Sequence, residues 1–555
     1  MKPLHLLCAG FALLLAFGAC SRNRTYPDYS VSSGFTLDSL DACNPQVVEN
    51  LEVLCRVWGY TKYHHPVFAD SSVNIDYELF DLLPKVAKAD PQTRNKLLCQ
   101  WIRELGAFGQ NKAKCDSLSA SPDIVKLSDP AWTYDTVRLG AGLSGVLRDL
   151  RYAVRESNRY ARFFPEAGNL DMSNESQEGL FDDCGYRLLY LFRFWNAIEY
   201  FSPDRNLTDR NWGEVPAAFI PPFIRNETRV VARLHRELCD SHGAGMVINR
   251  FGWYILPVDV NYADNRVFVT GEGEHLQRGD EILSVDGKDW NQVYGMLERY
   301  ESVSNDENRM RLAAACLCRS GNDTVKVCLL RRGMRLTERL PTISYYKWYQ
   351  VRREKLSDTS NLRILPGSVG YMTGLNYTLA DAERIMDRFR GTEALIVDMR
   401  CYPREFMIFD FVGRYFLPRT VHHTLWRCPV PGMPGAFYQT PGTLWVDAAR
   451  PSVEENPDYY KGRVIVLVDS STQSQAEYTV MAFQATPRCT VVGTQTAGAD
   501  GNISQLVMPA STQKSYFSGL GVLYPVGTNT QRTGIRIDVP VHATVEGLKA
   551  GRDEI

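Results

Sequence analysis

The chain has 555 residues, 44% hydrophobic and 23% charged, with 62 Lys and Arg against 64 Asp and Glu for a net charge of −2. That length has room for roughly three or four domains, and the composition is that of ordinary globular cores. The near balance of charge, with no long basic run, argues against nucleic acid as the main partner.

In chain order, Lys2 supplies a small basic start, Leu6 to Phe17 is a short apolar stretch, and Phe17-Gly-Ala-Cys20 closes it with small residues before a cysteine. This predicts an export signal over 1–19, too short to be a reliable membrane span. The ending resembles a bacterial lipobox, with Phe17 where leucine is more usual. The resemblance implies lipid on Cys20, a tether over 20–45, and a protein of the bacterial cell envelope, lipid-anchored and either periplasm-facing or surface-exposed. A plain cleaved signal peptide is the alternative. Setting Cys8 and Cys20 aside, twelve of the fourteen cysteines remain, too scattered for a dense disulfide scaffold or a zinc site. Export permits disulfides, and Cys99 with Cys115 is one candidate loop. Cys55, Cys239 and Cys328 lie in apolar segments and read as buried small residues.

Two segments repeat. Leu51-Glu-Val-Leu-Cys-Arg-Val-Trp-Gly-Tyr-Thr-Lys-Tyr-His-His-Pro66 matches Leu188-Leu-Tyr-Leu-Phe-Arg-Phe-Trp-Asn-Ala-Ile-Glu-Tyr-Phe-Ser-Pro203, so Trp58 aligns with Trp195, Tyr63 with Tyr200 and Pro66 with Pro203. Both have helical periodicity and stop at proline. They predict a first helical unit with a linker over 46–175 and a second over 176–249. The shared aromatics, and His64 and His65, read as core. The copies diverge at the end of the second, where Asp240-Ser-His242 stands against Ala107, Phe108 and Gly109 of the first. A lone histidine is ordinarily structural. This divergence makes His242 a functional candidate.

Short strands follow over 250–345. There Gln277-Arg-Gly-Asp-Glu-Ile-Leu-Ser-Val-Asp-Gly287 sets a strand between two glycine-aspartate turns and resembles the signature of a PDZ-like domain. Such domains take up extended peptides by strand addition. From 346 to 555 strands and helices alternate: strands over Ser368 to Gly374, Ala394 to Met399, Val464 to Val468 and Thr490 to Val492, with helices from Leu379 to Arg390 and after Ser474. The expected class is a multidomain α+β chain: helical repeats, a β-rich domain, and an α/β layered C-terminal core. Val464 to Val468 is a β-branched apolar run too short for a helix. Ser474 follows where the next helix begins. There free N–H groups favour negative charge, as the oxyanion of acyl transfer requires. The competing reading is that Ser474 only caps the helix.

Three segments together resemble the tail-specific, or C-terminal processing, protease family: Ala394-Leu-Ile-Val-Asp-Met-Arg400, Ser474-Gln-Ala-Glu477 and Val492-Gly-Thr-Gln-Thr-Ala-Gly498. Gly534-Ile-Arg-Ile-Asp-Val-Pro540 and Gly551-Arg-Asp-Glu554 fit the family's closing strand and tail. The resemblance implies a peptidase core of crotonase-like ββα units and Ser474 as nucleophile. One design in the family uses a lysine about 25 residues beyond the serine. Here Thr496-Ala-Gly-Ala-Asp-Gly501 has none, and beyond Ser474 only Lys514 and Lys549 occur. The other, tricorn-like design uses a histidine preceded by serine, which Ser241-His242 matches. It implies His242 as base, since imidazole titrates near neutrality, and Ser241 as its orienting partner. The family's relay glutamate aligns with Gln531. An amide orients but offers no charge, so Asp500 or Asp538 is the alternative source. Oxyanion donors are expected from the backbone N–H groups of Gln475 and Arg404, the latter in Cys401-Tyr-Pro-Arg-Glu405 where the family has paired glycines. The implied activity is serine-type hydrolysis of peptides or unfolded tails of envelope proteins, with no cofactor or metal. The alternatives are a catalytically inactive peptide-binding scaffold and a hydrolase of another acyl substrate.

Overall fold

The computed structural model describes residues 24–555 apart from 70–72, 129, 156, 377 and 406–408. The expected signal over 1–19 and Cys20 lie outside the described residues. Among the described residues, no helix is long and apolar enough to cross a membrane.

The helix Pro45–His64 starts where the Asn44 side chain accepts from the Gln46 N–H and proline fills the first position, and it stops as His65 turns extended before Pro66. The aligned helix Cys184–Phe201 starts at Asp183, whose carboxylate accepts from the Tyr186 N–H. Trp58 donates its indole N–H to the Ile75 carbonyl at 2.9 Å, and Trp195 donates to that of Trp212 at 2.8 Å, each seventeen residues on. Both helices share one core with Leu506, Met508 and Phe517 from the C-terminal third. Those three belong to the hairpin Ile503–Leu506 with Ser515–Ser518 and its loop. The hairpin is thus anchored in the helical layer, which delivers its last residue, Ser518, to the end of the second helical segment.

The segment 260–341 forms a five-stranded antiparallel sheet in the order Met334–Pro341, Thr324–Arg331, Glu281–Val285, Arg266–Val269, Val260–Ala263. Helices Trp290–Tyr300 and Asp306–Leu317 accompany it. The expected turns stand at both ends of Glu281–Val285: Gly279 has φ 87° and Gly287 φ 79°.

The C-terminal core holds a six-stranded sheet, Arg363–Leu365, Val369–Thr373, Ala394–Asp398, Arg463–Val468, Cys489–Gly493 and Val539–Pro540, parallel after its first pair. Its apolar faces pack on the helices Ala382–Phe389, Phe409–Phe416 and Gln475–Gln484. The closing strand is shorter than the sequence suggested. Only Val539 and Pro540 pair, and before them the Asp538 carboxylate accepts the Val491 N–H. The tail is tied down by Arg400, which bonds both oxygens of Asp398 and of Asp553. A second sheet has the order Ile124–Lys126, Ala436–Leu444, Val421–Pro429, Gly521–Leu523. Its first strand comes from the stretch expected to be a linker.

All twelve described cysteines are free, so the Cys99–Cys115 loop is not formed. The two sit on separate helices, Pro91–Glu104 and Lys112–Ser119. Cys55, Cys239 and Cys328 are buried, as their apolar surroundings predicted.

Candidate active site

The strand Arg463–Val468 buries Val464, Val466 and Val468 on one face, then runs into a turn fixed by its own side chains. Asp469 accepts from the Ser471 N–H at 2.7 Å, and the Thr472 hydroxyl donates to the Met399 carbonyl at 2.9 Å. Ser474 then adopts φ 55°, ψ −122°, a region that residues with a side chain rarely enter. Two bonds hold it there: its N–H donates to the Ala499 carbonyl at 3.0 Å and to Glu477 Oε2 at 3.1 Å. The helix Gln475–Gln484 starts at once, so the Gln475 N–H lies at its first position, where no intrahelical acceptor exists. A serine that merely capped the helix would have extended backbone. This strained strand-to-helix turn is instead the geometry that lifts a nucleophile clear of both elements. The Ser474 hydroxyl meets the phenol of Tyr402, a half-exposed residue of the 401–405 loop.

Behind the serine, fully buried Glu477 accepts from the Thr496 hydroxyl, from Gly498 N–H at 2.9 Å and from Ala499 N–H at 3.0 Å, besides Ser474. Burial pushes its carboxyl up to about 7 against the pull of these donors. Asp500 is also buried. Burial and the neighbouring Glu477 hold its carboxyl well above the usual range.

His242 lies in a short 3₁₀ turn, Ser241–Gly243, capped by Asp240. Its Nδ1 is 2.8 Å from Ser518 Oγ and 3.8 Å from Asp240 Oδ1. Burial lowers the imidazole below its ordinary range, and the Asp240 charge opposes that shift. Serines clamp this turn: Ser302 exchanges hydrogen bonds with the backbone of Asp240, and Ser304 with Ser241.

The histidine and the serine hang on one loop. The Ala497 carbonyl lies 3.4 Å from the Ser241 hydroxyl, and the Ala499 carbonyl takes the Ser474 N–H. Beyond the loop, the Asn502 carbonyl accepts from Gly519 N–H at 2.9 Å, next to Ser518. Asn305 braces the loop by donating to the Thr496 and Arg532 carbonyls.

Three expected roles change. Ser241 does not orient His242: its hydroxyl accepts from the Ser304 N–H and faces Ala497, and the partner of the ring is Ser518. The Arg404 N–H is not free for an oxyanion, because the loop folds back and donates it to the Gly374 carbonyl at 3.2 Å. Among the described residues Gln531 makes no hydrogen bond to the ring. It is buried with Asp240 and Asp204 around a small cavity, its Oε1 without a hydrogen-bond partner. Of the alternatives for the charge, Asp500 lies beside the serine turn and Asp538 is spent on Val491. In the same loop, burial pushes the Cys401 thiol up to about 12, which disfavours its thiolate.

Sequence reasoning assigned no role to Asp240, Glu477, Ser518 or Tyr402. Asp240 stands two residues before His242, and Glu477 completes the Ser-x-x-Glu spacing of a capping box. Nothing in the sequence marks Ser518 or Tyr402.

Asp204 carries a pH prediction. Burial raises its carboxyl to about 7, with Arg427 pulling it down and Asp240 pushing it up. An acid raised in the folded state contributes stability that is complete below the unfolded carboxylate range and is lost as pH rises through about 7. Asp204→Asn is therefore expected to gain on the parent by on the order of 3 kcal/mol between pH 5 and pH 8. Urea melts of both proteins at the two pH values check this, and a constant gap would refute it.

Residues 436–541, which contain the serine turn, its helix and the loop beyond, match the model of Peptidase family S41. Residues 257–341 match the model described as Bacteroidetes, Peptidase, S41 family, N-terminal domain. Together with the strained serine these matches give the class: the protein is a serine-type peptidase. Within that class the two matched segments, 257–341 and 436–541, are similar to the N-terminal and peptidase portions of family S41. Solved structures with partial likeness include mature CPAF complexed with lactacystin, at 13% identity over 66% of this chain and 96% of that one with a TM-score of 0.49. Others are the photosystem II D1 C-terminal processing protease (16%, 66% and 96%, TM-score 0.36) and tricorn protease (14%, 66% and 35%, TM-score 0.28). No curated protein matches the chain.

Proposed function

We propose that the protein hydrolyses peptide bonds by a Ser–His mechanism, with Ser474 as nucleophile and His242 as general base. The single observation that carries this is the stretch 497–502, whose carbonyls at 497, 499 and 502 take the Ser241 hydroxyl beside His242, the Ser474 N–H and the Gly519 N–H beside Ser518. A hydroxyl is a poor nucleophile near neutral pH and needs an adjacent base. His242, held neutral by burial, takes the Ser474 proton as Oγ attacks the scissile carbonyl. The oxyanion forms against the Gln475 N–H. The imidazolium returns the proton to the leaving amine, and water then hydrolyses the acyl-enzyme by the same path. Tyr402 gives up its contact with Ser474 when substrate enters, since catalytic hydrogen bonds tighten on binding.

The finer organisation belongs to the same reading. The segment around 250–345 is a PDZ-like domain that receives a peptide tail, the core is built of crotonase-like units, and the two helical segments are copies of one unit. The substrates are envelope proteins or peptides, reached by an enzyme anchored through lipid on Cys20. The test is hydrolysis of casein by the purified protein beside His242→Ala. Cleavage that disappears in the variant is expected. Equal cleavage by both would overturn the assignment of the base. Absence of cleavage, with retained capture of peptides, would favour a binding scaffold.

A further inference from the structure

The resemblance aligns Gln531 with the family's relay glutamate, and among the described residues Gln531 makes no hydrogen bond to the ring of His242, yet that ring is not without an acid. We infer that Asp240, acting through the hydroxyl of Ser518, is the group that orients His242 and fixes its tautomer. This rests on the Ser–His reading proposed above.

Asp240 Oδ1 accepts from the His242 N–H at 3.0 Å, and Oδ2 accepts from the Ser518 N–H at 2.6 Å. The Ser518 hydroxyl lies 3.1 Å from Asp240 Oδ1 and 2.8 Å from His242 Nδ1. Three donors converge on two oxygens, the arrangement of a carboxylate, which only accepts. Ser518 has a single proton, and it must go to Asp240. Its lone pair then faces the ring and accepts, so the Nδ1 atom carries the hydrogen. That leaves Nε2 bare, the state a general base needs. The chain Nδ1–H to Oγ–H to Oδ1 also places a negative charge behind the imidazolium that forms during attack.

The position is built for this role. Asp240 and Ser518 are both buried, and each is fixed by elements outside the serine domain's sheet: Asp240 by Ser302, Ser518 by the hairpin that Leu506 and Phe517 anchor in the helical core. Other charged groups near the cluster are Asp204, offset by Arg427; Arg205 and Arg532, which line the same cavity as Asp240 and are paired with Glu199 and Asp209; and Glu301, whose carboxylate accepts from the N–H groups of residues 245–248. Among the described residues none of these forms a hydrogen bond to the ring. Asp240 and Ser518 are positioning residues, since they act on substrate only through His242.

The test is steady-state hydrolysis of one peptide substrate across pH by the whole protein and by Asp240→Asn, Ser518→Ala, His242→Ala and Ser474→Ala. An asparagine removes the charge and sets its NH₂ against a donor: at the Oδ2 place it opposes the Ser518 N–H, and at the Oδ1 place it donates to the Ser518 hydroxyl, turns that proton towards Nδ1 and imposes the wrong tautomer. A loss of kcat of about 100-fold or more in Asp240→Asn is expected, with KM little changed. Loss of the charge should also move the acid limb of the kcat/KM profile to lower pH. Ser518→Ala removes the bridge but keeps the charge, so it should lower kcat by at least about tenfold with a smaller shift of the limb. A merely structural aspartate would not move the limb. Should Asp240→Asn fail to fold, Ser518→Ala carries the test alone. If His242→Ala and Ser474→Ala are inactive while Asp240→Asn and Ser518→Ala keep parental kcat and acid limb, the inference is overturned and the Ser–His reading stands. If His242→Ala keeps its activity, the Ser–His reading itself has failed.

Discussion

Ser474→Ala is expected to lower peptidase activity by at least about 10⁴-fold while leaving stability within about 0.5 kcal/mol of the parent. The two halves of that result have separate causes. The hydroxyl is the only atom removed. Its contact is with the half-exposed Tyr402, so little packing is lost. The unusual backbone at φ 55° is held by the residue's N–H, which alanine keeps. Alanine also pays the same conformational cost as serine there, so the turn does not relax. A helix cap replaced by alanine would instead cost about 1 kcal/mol of stability and no particular chemistry. Activity assays together with urea unfolding separate the two. A variant that is destabilised yet active would return Ser474 to the role of a cap.

The second large effect is expected at Glu477, and there stability and activity fall together. Its carboxylate is the common acceptor for the N–H groups of Ser474, Gly498 and Ala499 and for the Thr496 hydroxyl, all without solvent. Glu477→Ala leaves these donors buried and unmatched, at about 1–3 kcal/mol each, though not additively. A total loss of about 4 kcal/mol is expected. Glu477→Gln fills the space but turns an amide NH₂ towards donors, so it should be hardly better. The loop from Thr496 to Asp500 is what joins Ser474 to the Ser241-His242 turn. Its release should therefore also lower kcat at temperatures where the protein remains folded. The urea midpoint and kcat measured on the same samples check both. A Glu477→Gln protein with parental midpoint and parental kcat would contradict the account.

The parts of this site differ in how far the sequence discloses them, for physical reasons. The strand before Ser474, the turn and the helix after it are local, written in a β-branched run, small polar residues and a helical period, and the observed bounds differ by about a residue. The strands at 369–373, 394–398 and 489–493 were legible on the same grounds. His242 was singled out by the divergence of two aligned segments of one chain and by the Ser-His pair of the tricorn-like resemblance. Its partner was not, because Ser518 reaches it through a hairpin whose place is set by Leu506 and Phe517 packing among distant helices. Arg404 misled for the opposite reason. The resemblance put an oxyanion donor at the Arg404 N–H, whereas the loop folds back on Gly374 and uses that N–H. Local periodicity discloses elements, and a motif discloses the residue that needs a special backbone. Which side chains meet across domains is decided by packing that no short window contains.

The most direct test of the central claim is labelling of the purified protein with a fluorophosphonate, followed by mass spectrometry of its peptides. The account predicts a single adduct on Ser474, absent from Ser474→Ala and strongly slowed in His242→Ala, because the phosphonate reacts with a serine only where a base and an oxyanion site already act on it. Labelling at another serine, or at Ser474 with equal speed when His242 is replaced, would contradict it.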